Sequence, residues 1–334
     1  MELSTINKSK KKRYLIFALV PVFALIAFKD QSVGADTSTY MMIFDTVKTF
    51  KSVDVVYSDT TVNVEIGYKY LIYFLSKFFT DGSVVLYILG AFVCIALYFF
   101  ITKTAKNYCL ALYFFITLGF FQFAMSGIRQ TIAICIVLLG YEYIKKRNLG
   151  KFILIIALAM TFHKSALVVL PAYFLSNWKI SLRNTIFLMA GMSVILLFAD
   201  KLLISVADVM EYNYGIEGTG NGYIFFVIVF IITLLCLISK RTLLKQNSAN
   251  SILLNINFIS LALWCVRLIS RTAERVSLYF MPYTYVALEE YITSVDRDNR
   301  KFYLVVSILL AGILCLYRLS GQPELSEFKF CFHI

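Results

Sequence analysis

Apolar runs long enough to cross a bilayer alternate along the chain with short charged breaks. They lie near 14–28, 83–101, 108–124, 128–144, 185–199, 222–239, 252–269, 276–292 and 302–318. A bilayer core about 30 Å thick needs roughly 20 apolar residues per helix, so each run reads as a membrane helix, several of them short. The first run follows KSKKKR and lacks a small-residue cleavage site, which marks an uncleaved span rather than a signal peptide. Stretches of about ten residues with alternating polarity, the pattern of a membrane β-barrel, do not occur. Ile66–Phe79 is apolar on most faces but carries Lys69 and Lys77. It reads as an interfacial or partly re-entrant helix inside the loop 29–82.

The segment Lys151–Ser176 fits two patterns. As one span it holds His163 at its centre. As two arms it is a tight hairpin with His163 at the turn, each arm rising only about 18 Å at 1.5 Å per residue. Charge separates the two, because cytoplasmic loops are enriched in Lys and Arg. With a hairpin and a cytoplasmic N-terminus, KSKKKR, KKRNLGK, KRTLLK and RDNRK all fall inside. A single span would move KRTLLK outside and bring the acidic loop 200–221 in. The expectation is therefore an all-α, polytopic integral membrane protein with about eleven membrane segments, the hairpin near 151–176 included. It is one membrane domain over 1–334, with a basic cytoplasmic N-terminus at 1–13, loops 29–82 and 200–221 outside, and the C-terminus outside.

Composition agrees: 60% of residues are hydrophobic and the mean hydropathy is +0.76, more than a soluble chain of this length carries. The net charge of +12 follows from the topology and gives no ground for nucleic-acid binding. The seven cysteines form no CxxC pair and, Cys331 apart, lie in apolar spans, where they read as packing residues.

Candidate chemistry rests on charges that sit against the positive-inside pattern. Arg129, in SGIRQ, falls at the outer start of a helix with Ser126 as its expected N-cap, so backbone N–H groups and a guanidinium would point the same way. That combination suits a phosphate. Arg267, Arg271 and Arg275 recur at i, i+4 and i+8 and would form one stripe about 12 Å long on a continuous helix. The alternative is a set of solvated loop arginines, partly neutralised by Glu274. His163 and Lys164, in TFHKSALVVLP, would join Arg129 if the hairpin turn faces the outer leaflet. Histidine serves as a neutral base or as a cationic phosphate donor; the alternative is a histidine satisfied by a backbone carbonyl between helices. Asp36 and Tyr40 in GADTSTY, and Glu65 in EIGY, put acids beside aromatics, the groups that hold sugars; ordinary loop charges are the alternative. No clustered His, Cys and carboxylate pattern calls for a metal, and no cofactor is expected.

Taken in order, DTSTY, EIGYKYL, SGIRQTIAICIVLLGYEYIKKRNLGKFILIIALAMTFHKSALVVLP and SRTAERVSLYF resemble the EpsG family of Wzy-like bacterial polysaccharide polymerases over roughly 14–318. The most specific marks are Arg129-Gln130-Thr131-Ile132-Ala133 and Phe162-His163-Lys164-Ser165-Ala166, and the stretch 185–265 resembles the family least. The resemblance implies a glycosyltransferase-type polymerase in the bacterial plasma (inner) membrane. It would join undecaprenyl-diphosphate-linked oligosaccharide repeat units at the outer face, for O-antigen, capsule or exopolysaccharide. A chain-length regulator and a flippase would be its partners, beside the lipid itself. On this reading His163, Asp36 and Glu65 are the candidate catalytic groups. Arg129, Gln130, Lys164, Arg267, Arg271, Arg275 and Tyr40 would bind substrate. A ligase or a flippase for the same lipid-linked glycan stands as the alternative. An intramembrane serine protease using Ser126 and His163 is a further one, although Ala124 stands where that pattern wants glycine.

Overall fold

The computed structural model describes residues 8–178, 222–269, 272–322, 325 and 327–332. The expected span 185–199, the loop 200–221 and Arg271 lie outside the described residues. Among those described the chain is helical, and one isolated antiparallel bridge joins Lys29 to Phe330. The helices are α1 (Lys8–Ala27), α2 (Thr37–Lys48), α3 (Val53–Ser58), α4 (Ile66–Ser76), α5 (Val84–Thr104), α6 (Tyr108–Thr117), α7 (Phe120–Ser126), α8 (Ile128–Leu139), α9 (Tyr141–Lys145), α10 (Leu149–Met160) and α11 (Leu170–Leu175). After the undescribed segment come α12 (Gly222–Ile238), α13 (Lys240–Gln246), α14 (Asn250–Arg267), α15 (Thr272–Ser277), α16 (Met281–Ser294) and α17 (Arg297–Ser320).

Three of these, α5, α14 and α17, are long and apolar enough to cross a membrane. The total reaches five if the bent pairs α6–α7, at 54°, and α12–α13, at 71°, each count as one span. Counted over the described residues, these spans agree with a membrane protein without confirming eleven segments, and several continuous apolar runs are divided into pieces. The 128–144 run becomes α8 and α9, and the 276–292 run begins in α15 and continues in α16. The outer surface supports the membrane class. Phe17, Leu154, Leu158, Leu309, Leu310, Ile313 and Leu316 are all exposed, and α17 buries only Ala311 and Leu314. Water would penalise such a surface at about 25 cal/mol per Å², whereas lipid tails do not.

The chain divides into two compact units. The first holds residues 1–141, 154–166 and 305–334; the second holds 142–153 and 167–304. In the first, α1 packs along α5, and Gly90 lets Phe23 approach the α5 backbone. Tyr113 donates to the Ile308 carbonyl at 2.6 Å, and Gln122 bonds Cys315, tying α17 to α6 and α7. In the second, α12, α14 and α16 pack together around buried amides. Asn257 donates to Thr233 and Asn250 donates to Glu290, both at 2.8 Å. Phe225 stacks on Trp264 with centroids 5.1 Å apart.

The hairpin near 151–176 is present. α10 has 12 residues, about 18 Å of rise, and ends in the turn 161–163. The chain returns through a 3-10 turn, Lys164–Val169, and α11. The base is closed where Phe152 stacks on Tyr173 at 5.4 Å and Arg147 donates to the Tyr173 carbonyl at 2.7 Å.

Candidate functional site

The long loop after α1 is folded, and its folding positions the site. Lys29, 1% exposed, sends its ammonium to three acceptors: the carbonyls of Val33 and Met125 and the hydroxyl of Thr37. An ammonium has three donors, so the count matches. Gly34 makes this possible: at φ +90 it turns the loop, and a Cβ there would collide with the Met125 carbonyl. The start of α2 is thereby fixed to the end of α7. One turn further along each chain come Tyr40 and Arg129. Burial pulls the Lys29 pKa down to about 7, against the opposing pull of Asp36.

A second docking contact brings the hairpin turn to α4. The backbone N–H of Gly67 donates to the Thr161 carbonyl at 2.8 Å. A Cβ on Gly67 would overlap the Thr161 side chain, so only glycine permits the approach. Next to it, the N–H of Lys164 donates to Glu65 Oε1 at 3.2 Å. Glu65 Oε2 takes the Nη1 of Arg129 in a close ion pair, and Arg129 Nε donates to the Tyr40 hydroxyl at 3.0 Å. Tyr40, Glu65, Arg129, His163 and Lys164 are thus assembled from four separate elements of the first unit. Glu65 is buried, and Arg129 keeps 18% of its side chain exposed. Among the described residues its Nη2 makes no hydrogen bond or ion pair.

His163 is 5% exposed, and its Nδ1 lies 2.7 Å from the Ser165 hydroxyl. Ser165 donates to Nδ1 or accepts from it according to the tautomer. In either case the ring is fixed. This pairing also corrects the serine–histidine pair imagined for a protease: the hydroxyl that holds His163 is that of Ser165, not Ser126. Ser126 does not cap α8 either. It completes α7, and Gly127 caps α8 without a side-chain bond, because α7 runs straight up to the break. Arg129 stays in the first turn of α8. Gln130, beside it, is buried.

Asp36 is half-buried at the N-cap of α2, where its carboxylate makes no capping bond. It raises the Tyr40 pKa, but burial is the larger cause and the Arg129 charge opposes both. The arginine stripe is interrupted. α14 ends at Arg267 and α15 begins at Thr272, so a single continuous helix does not carry it. In the second unit Arg267 is 5% exposed and its Nε donates to Glu274 at 2.6 Å; Arg275 lies in α15. No group of three or more His, Cys, Asp and Glu that would hold a metal occurs among the described residues, and all seven cysteines are free.

Sequence reasoning missed Lys29, Gly67, Tyr68 and the role of Ser165. Three of these lie inside quoted motifs: Gly67 and Tyr68 in EIGY, Ser165 in FHKS. The signal for Lys29 was a charge set at the end of the first apolar run.

Exposed apolar helices around a buried cluster of charged and phenolic groups define a membrane protein with a polar site in its first unit. Among known families, the model of the EpsG family matches residues 12–331. The chain therefore belongs to the EpsG family, a polysaccharide-polymerase-like family. No curated protein and no solved structure matches the chain.

Proposed function

We propose that this protein polymerises oligosaccharide repeat units carried on undecaprenyl diphosphate, at the outer face of the bacterial plasma membrane, with its N-terminus cytoplasmic. The observation that carries the reading is the Glu65–Arg129–Tyr40 arrangement, docked on the His163 turn in a chain of this family. Glu65 and Tyr40 orient the guanidinium for an anionic ligand. A planar fork held in advance is suited to a diphosphate leaving group, whose charge grows as the glycosidic bond breaks.

In the reaction, the acceptor hydroxyl attacks the anomeric carbon of the donor glycan. The bond from that carbon to the diphosphate oxygen breaks, and the electron pair leaves with the diphosphate. The hydroxyl proton passes to a base. Glu65 has both oxygens engaged and serves as a strut rather than as that base. Asp36, whose carboxylate makes no capping bond on α2, and His163 are the candidates. Lys164 adds positive charge beside the turn. The arginines of the second unit, Arg267, Arg271 and Arg275, are proposed as further substrate ligands, Arg267 at the expense of its pair with Glu274.

Arg129→Lys keeps the charge but loses the fork, and is expected to cut polymerisation at least tenfold. His163→Ala is expected to do the same, and His163→Gln separates the two roles of the histidine. Glutamine donates a hydrogen bond but takes no proton, so near-complete loss assigns the base and partial retention assigns a phosphate donor. The readout is the glycan ladder of a deletion strain carrying each variant at wild-type abundance. Normal polymer from both Arg129→Lys and His163→Ala would reject the site. Loss of all displayed glycan on deletion, in place of accumulated single units, would point to a flippase.

A further inference from the structure

The side chain of Tyr68 is fully buried, yet its hydroxyl has no hydrogen-bond partner among the described residues. Leaving such a group unpaired is costly, and native proteins seldom do so without a reason. The ring is well accounted for: it meets Tyr40 edge-on, with centroids 5.4 Å apart and planes at 70°. The hydroxyl is not explained by packing, because phenylalanine would give the same ring contact. Its surroundings are those of the site. Tyr68 follows Gly67, whose N–H docks on Thr161, and lies three residues beyond Glu65. It is also within electrostatic reach of both Tyr40 and Arg129. We propose that Tyr68 is a substrate-binding residue whose hydroxyl donates a hydrogen bond to an oxygen of the lipid-linked diphosphate held at Arg129.

The chemistry favours an anionic oxygen as its partner. Burial, the largest influence, holds the Tyr68 pKa well above the usual phenol range, and the Tyr40 hydroxyl adds to this against the weaker pull of Arg129. The phenol therefore keeps its proton and acts as a neutral donor, not as a base or nucleophile. Beside it, Arg129 supplies positive charge. A neutral phenol donor and a guanidinium serve one phosphate group together, the phenol adding direction where the guanidinium adds charge.

This inference rests on the diphosphate reading above, and the test separates the two. Wild type, Tyr68→Phe and Arg129→Lys are purified in detergent and compared for affinity to undecaprenyl diphosphate and for melting temperature. Tyr68→Phe is expected to bind the probe roughly ten- to hundredfold more weakly, the loss for one hydrogen bond to a charged group. Its melting temperature should equal or exceed that of wild type, because removing this hydroxyl strands no partner. A structural tyrosine would behave in the opposite way, with a lowered melting temperature and unchanged affinity, and that result overturns the proposal. Unchanged affinity in Tyr68→Phe with weakened binding in Arg129→Lys overturns the role of Tyr68 alone. No binding by wild type, or full binding by both variants, overturns the diphosphate reading and the Tyr68 proposal with it.

Discussion

Two carboxylates near Tyr40 look alike in the sequence and differ in the structure. Glu65 is buried and answers both the Arg129 guanidinium and the Lys164 N–H. Asp36 is half-buried and makes no capping bond. Glu65→Gln is therefore expected to lower stability by about 3 kcal/mol, because it leaves a largely buried arginine without its counter-charge, and to lose activity with it. Asp36→Asn should leave the melting temperature near that of wild type while reducing polymer formation. Melting curves in detergent beside glycan ladders check both. An active Asp36→Asn protein would remove Asp36 as the base and leave His163 in that role.

Short loop elements, rather than long spans, position the chemistry. The Gly67–Thr161 contact joins α4 to the hairpin turn. Gly67→Ala forces that contact apart and is expected to cost on the order of 1–3 kcal/mol, with loss of activity. Gly150→Ala, where a Cβ meets nothing closer than 4.0 Å, is the silent comparison. The Lys29 latch between the α1–α2 loop and α7 predicts a pH dependence. Folded Lys29 holds its proton only up to about pH 7, whereas its ordinary value is 10.5. Between these the unfolded chain binds more protons, so stability climbs as pH rises, by at most about 1.4 kcal/mol per unit. Melting temperatures of wild type should rise through this window relative to Lys29→Met. Parallel curves would show that the latch does not titrate there.

At the scale of the whole molecule, the C-terminal strand segment constrains the topology. The Asp30 N–H donates to the Lys329 carbonyl and the Cys331 N–H to the Phe28 carbonyl, each at 2.9 Å. The ends of α1 and of the chain beyond α17 therefore share one side, and an even number of crossings separates them. Single cysteines at Ser38 and Lys329, both exposed, are expected to react with a membrane-impermeant thiol reagent from the same side, in a background with the native cysteines replaced. On the proposed topology that side is outside, so a cysteine at Lys146 should react only after permeabilisation. The reverse pattern would invert the topology, and an outward-facing polymerase site with it.

Sequence alone determined the helical membrane class, the hairpin and the residues worth naming, because these follow from local quantities: run length, charge placement and motif. The apolar runs marked where helices form, but not that α6 and α7 are separate pieces set at 54°, since hydropathy does not register a backbone break. His163, Arg129, Glu65 and Tyr40 were each legible as candidates from charge or residue type. Tertiary structure decided which of them meet. It paired Glu65 with Arg129 across 64 positions and Tyr40 with Arg129 across 89, and it ended α14 at Arg267 where one continuous arginine stripe had been expected. Tyr68 shows the same division. Its type and neighbours were on the page from the start, but a buried hydroxyl with no partner among the described residues is a property of packing in three dimensions, and no pattern along the chain encodes it.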